Sequence, residues 1–207
     1  MAKILFQGDS ITDCGRSRED NNQIGQGYPR LVKARLCFEH PGEHTFLNRG
    51  ISGNRVVDVY ARIKSDIINL EPDYMSILIG VNDVWHEAAH KNGVDAPKYE
   101  KIYDMLITEV KEALPNIKIA ILEPFVLKGT ANADNWEFFS SEVALRAQAA
   151  KRVAEKHGLV FIPLQEKFDK LCEIMPPYYW AGDGVHPTAA GHELITREWI
   201  RAFENMQ

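Results

Sequence analysis

The amino-acid sequence predicts an α/β fold in which a mostly parallel sheet is covered by helices on both faces. Short apolar segments alternate with longer segments of helical periodicity along the whole chain, and this alternation is typical of parallel sheets. The segment Tyr74–Ile79 is an apolar run that Gly80 follows, as expected for a strand buried on both faces. Both observations place the strands in the middle layer of the molecule.

Each element follows from its local pattern. Short runs that end at glycine, proline or polar residues predict five strands: Lys3–Gln7, His44–Asn48, Tyr74–Ile79, Ile117–Leu122 and Leu159–Pro163. Apolar residues three or four positions apart predict six helices: Tyr28–Cys37, Val56–Leu70, Tyr99–Leu114, Phe139–His157, Leu164–Leu171 and Thr188–Phe203. Pro72 follows the second of these helices, and Gly158 fits a C-terminal stop after the fourth. The segments Thr12–Gly27 and Phe125–Asn135 are predicted as loops.

Length, composition and charge narrow the class of protein. The chain has 207 residues, of which 45% are hydrophobic, so we expect one sizeable core and a single domain over residues 1–207. The formal net charge is −5 and no Lys/Arg run forms a basic stripe, which argues against a nucleic-acid partner. No apolar segment approaches the roughly 20 residues that a membrane-spanning helix needs. The three scattered cysteines favour free thiols and a cytoplasmic location. The sequence leaves a homo-oligomer possible.

Small polar clusters follow the predicted strands, at the edge where proteins with parallel sheets bind their ligands. The clusters are Gly8-Asp9-Ser10, Asn48–Asn54, Gly80-Val81-Asn82-Asp83 and Asp183-Gly184-Val185-His186. Each one alone is a common turn sequence. All four in this order, three after strands and one before the last helix, favour an active site.

These clusters supply one candidate for every role in ester hydrolysis. Ser10 is the candidate nucleophile, His186 the base that takes its proton, and Asp183 the carboxylate that orients the imidazole. The candidate donors to the developing oxyanion are the backbone N–H groups of Ser10 and Gly53 and the side-chain amide of Asn82. We expect the missing side chain of Gly53 to let the backbone approach the substrate closely.

With these residues the sequence resembles the SGNH (GDSL) hydrolase superfamily over essentially its whole length. The resemblance implies the SGNH hydrolase fold, a flavodoxin-like three-layer α/β/α sandwich with a five-stranded parallel sheet. It also implies a triad of Ser10, His186 and Asp183 and an oxyanion hole formed by Ser10, Gly53 and Asn82. Such enzymes use no metal or organic cofactor.

Three longer stretches are similar to intracellular acetylxylan esterases and their acetylesterase relatives. They are Gly8–Arg16, Asn48–Asn54 and Ile79–Trp85. The closer resemblance implies hydrolysis of small acyl esters, chiefly acetyl esters, on xylo-oligosaccharides or other acetylated sugars through an acyl-enzyme intermediate. A small acetylated carbohydrate is therefore the expected partner of the protein.

Aromatic and histidine side chains beside these blocks are candidates for binding that substrate. Trp85 and His86 follow the Asn82 block directly and are predicted to line a sugar site. Trp180, together with Tyr178–Tyr179, precedes the triad loop and is a candidate platform for a sugar ring. Packing against the last helix is an equally good interpretation of these three aromatic residues.

The segment His86-Glu87-Ala88-Ala89-His90 matches the H-E-x-x-H pattern of zinc proteases. That pattern needs a third protein ligand, and the position expected for it is Ala96, one residue beyond Asp95. We therefore predict a short helical turn at the pocket rim and no metal site, and we keep a metalloprotease as a minor alternative.

Other polar residues near these clusters are assigned supporting roles. Asp9 and Arg16 are expected to brace the nucleophile loop, and Asp83 to cap a helix or stabilise a loop. No base is expected beside Cys14, which is predicted to be a buried thiol.

Two alternatives to the acetylesterase stay open. A lysophospholipase or thioesterase would use the same triad on long acyl chains. A non-catalytic, flavodoxin-like binding module would use the same strand order to hold a ligand at the end of the first strand.

Overall fold

The computed structural model describes residues 1–206 and confirms the predicted α/β fold. Its sheet has five parallel strands in the order β2-β1-β3-β4-β5. The strands are β1 (Ala2–Gly8), β2 (His44–Asn48), β3 (Tyr74–Leu78), β4 (Lys118–Leu122) and β5 (Val160–Ile162). Each strand begins and ends within about one residue of its predicted bounds, because buried parallel strands leave clear apolar runs in the sequence.

Helices on both faces of the sheet make up the outer layers. The α-helices are α1 (Ser10–Asp13), α2 (Tyr28–Glu39), α3 (Val56–Ala61), α4 (Ile63–Asp66), α5 (Val81–His90), α6 (Ala96–Ala113), α7 (Trp136–His157), α8 (Gln165–Cys172), α9 (Pro177–Trp180) and α10 (Ala189–Glu204). Side chains alternate along β1, so Ile4 and Phe6 lie in the core under α2 and α10. Leu5 points to the opposite face and lies in the core under α3, α6 and α7.

The strand order creates a crevice at the carboxyl edge of the sheet. The chain passes from β2, on one side of β1, to β3 on the other, and the loops after neighbouring strands diverge at such a switch point. The loop after β2 stays close to β1, because the Arg49 and Ile51 N–H groups donate to the carbonyls of Phe6 and Gly8. The polar clusters after β1, β2 and β3 therefore meet at one place.

The helix predicted over Val56–Leu70 is wrong as a continuous element. The structure divides it into α3, α4 and a short 3-10 helix over Ile68–Leu70. The break falls at Arg62, whose backbone leaves helical geometry. Its guanidinium donates to Gln7 Oε1 at 2.7 Å and to the Arg49 carbonyl at 2.8 Å. A long-range contact to the end of β1 thus accompanies the break, although the apolar periodicity runs through it.

The prediction of only a short helical turn after the Asn82 cluster is also wrong. The segment forms the ten-residue helix α5, in which Val81 and Val84 are buried one turn apart. Gly80 precedes the helix with a φ of 140°, a backbone conformation that favours glycine. Among residues 1–206, no helix is both long enough and apolar enough to cross a membrane.

Candidate active site

Ser10 is the first residue of α1 and is separated from the end of β1 by Asp9 alone. A Cβ atom at Gly8 would lie 2.3 Å from the carbonyl oxygen of Leu78, so only glycine fits the tight turn before the helix. Asp9 caps α1, and its Oδ1 accepts from the Ile11 N–H at 3.0 Å. This turn places the Ser10 hydroxyl and N–H at the open edge of the sheet.

Ser10, His186 and Asp183 form a hydrogen-bonded relay. Ser10 Oγ lies 2.9 Å from His186 Nε2, and His186 Nδ1 lies 2.7 Å from Asp183 Oδ2. A carboxylate can only accept, so Nδ1 carries the proton and Nε2 is left to accept from the Ser10 hydroxyl. This is the tautomer that a general base for Ser10 requires.

Asp183 is ionised by its local hydrogen bonds. Partial burial opposes its ionisation, but the backbone and ring N–H groups of His186 and the Val185 N–H outweigh it and hold the pKa of Asp183 below its ordinary value. The His186 and Val185 N–H groups donate to Asp183 Oδ1 at 2.7 and 2.9 Å. The compact loop therefore fixes the carboxylate against both the ring and the backbone of the histidine.

The segment predicted as the Phe125–Asn135 loop supports Asp183. The Leu127 N–H donates to the Gly184 carbonyl, and the Ala131 N–H donates to the Asp183 carbonyl. A Cβ atom at Gly129 would lie 2.2 Å from the backbone of Asp183, so glycine is required at this contact. None of these three loop residues lines the cavity at Ser10.

The three residues that carry the predicted oxyanion donors, Ser10, Gly53 and Asn82, line one cavity. Gly53 has a φ of 82°, and a Cβ atom on it would have no atom within 4 Å. Glycine is therefore needed for this backbone conformation, and its Cα faces the open cavity. Asn82 is buried, and its Nδ2 donates one hydrogen to the Asn54 carbonyl at 3.2 Å. Within residues 1–206, neither the Ser10 nor the Gly53 N–H has a hydrogen-bond acceptor.

Two carboxyl groups hold the Gly53 loop, defined here as residues 49–55, from either side. Asp13 Oδ2 accepts from both the N–H and the Oγ of Ser52 at 3.0 Å and from Arg18 at 2.7 Å. Beyond the other end of the loop, Asp83 accepts from the Val56 N–H at 3.1 and 3.2 Å. The position of the Gly53 N–H is thus fixed by side chains on α1 and α5.

Two fully buried carboxyl groups lie beneath the site. Burial raises the pKa of Asp9 to about 7, against the Ile11 N–H and the nearby His186. Burial also raises the pKa of Asp83 well above its ordinary value, against the Val56 N–H and the Arg146 guanidinium. The second carboxyl oxygen of Asp9 has no hydrogen-bond partner among the described residues. Asp9 and Asp83 therefore act as predicted, as structural supports of the nucleophile and of α3.

A cavity of about 270 Å³ opens above the Ser10 hydroxyl. Its walls are formed by Ser10, Ser52, Gly53, Asn82, Trp85, His86, His90 and His186. The Trp85 ring lies 6.0 Å from the His186 ring, centre to centre, and packs edge-on against Phe139 on its other side. Trp85 and His86, two of the predicted substrate-binding residues, therefore line the same cavity as Ser10 and His186, which is called the triad cavity below.

Trp180 lies outside this cavity. Its indole N–H donates to the carbonyls of Leu171 and Met175, both at 3.0 Å, and its ring packs against the core under α2 and α10. These bonds tie α9 to the end of α8. The neighbouring Tyr178 and Tyr179 are exposed.

The prediction that no base lies beside Cys14 is wrong. Cys14 Sγ lies 3.6 Å from His192 Nε2, and the other ring nitrogen of His192 accepts from the Tyr28 N–H at 3.1 Å. Burial lowers the pKa of His192 to about 4 and raises the pKa of the half-buried Cys14. The pair joins α1 to α10 with a neutral thiol and a neutral imidazole. The contact spans 178 positions in the sequence, and no local pattern indicates it.

The H-E-x-x-H segment lies on α5 with both histidines facing the cavity. Glu87 is not among the residues that line the cavity, and its Oε2 accepts from the Gly93 N–H at 3.1 Å. Asp95 caps α6 through the Lys98 N–H. Over residues 1–206, no three His, Cys, Asp or Glu side chains are grouped as metal ligands.

The site joins a hydroxyl, an imidazole and a carboxylate by hydrogen bonds and places three N–H donors beside them at the edge of a parallel sheet. This arrangement defines a serine hydrolase. Comparison with family models identifies the particular group: residues 6–194 match the GDSL-like lipase/acylhydrolase family. The chain belongs to this family and is a carboxylic ester hydrolase. A non-catalytic binding module is therefore not supported.

Known relatives cover nearly the full chain. An acetylxylan esterase of Geobacillus stearothermophilus is 34% identical, and the match covers 96% of this chain and 92% of that protein. A crystal structure of the Geobacillus stearothermophilus acetylxylan esterase Axe2 superposes with a TM-score of 0.87 at 34% identity, covering 97% and 93% of the two chains. A Parabacteroides merdae protein described as a GDSL-like lipase superposes with a TM-score of 0.91 at 37% identity, covering 98% and 95%.

Proposed function

We propose that this protein removes acetyl groups from xylo-oligosaccharides or other acetylated sugars through an acetyl-enzyme formed on Ser10. The observation that carries the proposal is the relay from Asp183 through His186 to the Ser10 hydroxyl, with distances of 2.7 and 2.9 Å. This relay opens into a cavity that also holds the oxyanion donors Gly53 and Asn82.

The reaction follows from this geometry. Ser10 Oγ attacks the ester carbonyl while its proton passes to His186 Nε2, and Asp183 stabilises the imidazolium that forms. The carbonyl oxygen becomes an oxyanion and accepts from the Ser10 and Gly53 N–H groups and from the Asn82 amide. His186 then protonates the departing sugar hydroxyl, and a water molecule activated by the same imidazole releases acetate from Ser10.

The size and lining of the cavity favour a small acyl group. The space above Ser10 is about 270 Å³ and is lined by histidine, asparagine and serine side chains with one tryptophan. A larger and more apolar cavity, of about 510 Å³, lies between the segment after β4 and helices α7 and α8. None of the triad residues lines it, so it offers no direct site for a long chain attached to Ser10.

The relatives support an acetylated carbohydrate as the substrate. The curated relative is an acetylxylan esterase, and one of the similar structures is described as an acetyl-xylooligosaccharide esterase. Catalytic mutants of that enzyme replace a serine and an aspartate by alanine, the residue types found here at positions 10 and 183. Trp85 and His86 are the proposed contacts to the sugar, since both border the triad cavity.

A substrate panel tests the proposal. We expect hydrolysis of acetylated xylo-oligosaccharides and of aryl acetates, with activity falling steeply from acetyl to octanoyl aryl esters. Ser10→Ala should lower the rate by several powers of ten, because triad members act as a unit. Preference for octanoyl esters would favour the lysophospholipase or thioesterase alternative, and undiminished turnover by Ser10→Ala would contradict the assignment of Ser10 as the nucleophile.

A cytoplasmic location, inferred from the three free cysteines, is tested by cell fractionation.

A further inference from the structure

Helix α5 presents two histidines to the active-site cavity that the hydrolytic mechanism does not use. His86 and His90 are one helical turn apart, and their ring centres are separated by 6.0 Å with the ring planes nearly perpendicular. Both line the cavity that contains Ser10 and His186. Residues four positions apart on a helix lie on the same face, so the two side chains can reach a common point.

Two imidazoles in this arrangement suit a borderline transition-metal cation. Neutral imidazole is a good ligand for Zn²⁺ and Ni²⁺, whereas Mg²⁺ prefers oxygen ligands. A histidine that binds a metal usually donates its other ring N–H to a carbonyl or carboxylate, which fixes the ring. One nitrogen of each ring is then needed for the metal.

The charges around the pair leave it open to a cation. The positive charge of Arg55 is offset by Asp58, which accepts from Arg55 Nε at 2.9 Å and faces His86 as well. Glu87 is held by the Gly93 N–H, so it cannot serve here as the general base that the H-E-x-x-H proteases use.

We propose that His86 and His90 form a two-imidazole binding site for Zn²⁺ or Ni²⁺, and that an ion bound there inhibits the esterase. The ion and its water molecules would occupy the space of about 270 Å³ that an acyl group needs. Its positive charge would also disfavour the imidazolium that His186 must become when Ser10 attacks. The site is thus regulatory and has no part in the hydrolytic steps.

Nickel titration of the whole protein tests the site in two independent ways. Ni²⁺ binding is measured by isothermal titration calorimetry in a chelator-free buffer, and aryl-acetate hydrolysis is measured at the same Ni²⁺ concentrations. We expect one ion per chain, inhibition that follows the binding curve, and full recovery with EDTA. Mg²⁺ at the same concentrations should neither bind nor inhibit.

His90→Ala removes one ligand, and His40→Ala is the matched control. The His40 side chain is 43% exposed, its ring lies 6.0 Å from that of His44, and it is not among the residues that line the triad cavity. Each variant is compared with its own metal-free rate. We expect His90→Ala to weaken Ni²⁺ binding and inhibition by at least about tenfold, because it loses one of two imidazole ligands, and His40→Ala to behave as the unaltered protein.

Three outcomes would overturn the proposal. They are equal Ni²⁺ affinity in the unaltered protein and His90→Ala, loss of binding in His40→Ala instead, and binding at His86 and His90 that leaves hydrolysis unchanged. Because binding is measured by heat, a protein that hydrolyses no acetyl ester would still report on the metal site.

Discussion

The carboxylate of Asp183 binds His186 twice, once through each oxygen. Oδ2 accepts from the ring Nδ1, and Oδ1 accepts from the backbone N–H, both at 2.7 Å. The same side chain therefore fixes the tautomer of the imidazole and the shape of the loop that carries it. This double contact explains why an aspartate three positions before the histidine can serve the triad.

Replacing Asp183 by Asn should lower kcat by about 10³–10⁴-fold. The amide can still accept from the backbone N–H, but its NH₂ group would face Nδ1 and force the proton onto Nε2, where it can no longer accept from Ser10. Aryl-acetate kinetics measure the effect, and circular dichroism checks that the fold is kept. A loss of less than about tenfold, in a correctly folded protein, would rule out this role for Asp183.

Removing the oxyanion donor of Asn82 should reduce kcat and leave KM nearly unchanged. The amide is held by the Asn54 carbonyl at 3.2 Å and is free to donate its second hydrogen into the cavity. Loss of one preorganised donor typically costs about 10²–10³-fold in kcat. Steady-state kinetics of Asn82→Ala test this, and an effect confined to KM would mean that Asn82 binds the substrate in its ground state only.

Asp13 is predicted to position the Gly53 N–H through Ser52. Asp13→Asn loses the ion pair with Arg18 and weakens both bonds to Ser52, so we expect kcat to fall by about tenfold or more with little change in KM. Ser52→Ala is the matched control, because it removes only the hydroxyl bond and keeps the backbone one. It should lower kcat by less than Asp13→Asn. Equal effects of the two variants would argue against positioning through the backbone.

The buried carboxyl of Asp9 should make stability depend on pH. Its pKa rises from 3.8 to about 7 on folding, so between these values the folded protein holds a proton that the unfolded chain has released. The free energy of unfolding therefore falls as the pH rises through this window, by up to roughly 4 kcal/mol in total. Above about pH 7 the penalty is constant.

Asp9→Asn removes this titration. The free energy of unfolding of the variant minus that of the unaltered protein should be larger at about pH 8 than at about pH 5, because only the unaltered protein loses stability through this window. Denaturant unfolding at the two pH values measures this difference. The amide does not titrate, so whatever it adds to the stability of the protein is the same at both pH values and cancels. A difference that stays the same at both pH values would show that Asp9 is already ionised in the folded protein at about pH 5.

The features that the sequence predicts correctly depend on local patterns. Strand β3 is an apolar run, and Ser10 and Asn82 follow their strands within a few residues. The triad pair of Asp183 and His186 is contained in one short loop. Because the carboxyl ends of parallel strands share one edge, the fold class is enough to bring these distant clusters together.

The features that the sequence does not predict depend on contacts between distant residues. The break at Arg62 accompanies its contact with Gln7, and the partner of Cys14 is His192 on the last helix. Trp180 is equally suited by composition to a sugar platform or to the packing role that its indole bonds indicate. Local periodicity carries no information on which of two remote partners a side chain meets.

The most direct test of the mechanism is to label the activated nucleophile covalently. The protein is incubated with a fluorophosphonate, which loses fluoride when an activated serine attacks its phosphorus, and the modified peptide is identified by mass spectrometry. The account predicts a single adduct on Ser10, none in Ser10→Ala, and much slower labelling in His186→Ala, where the hydroxyl has lost its base. An adduct on another residue, or labelling of His186→Ala at the normal rate, would contradict an active-site serine activated by this histidine.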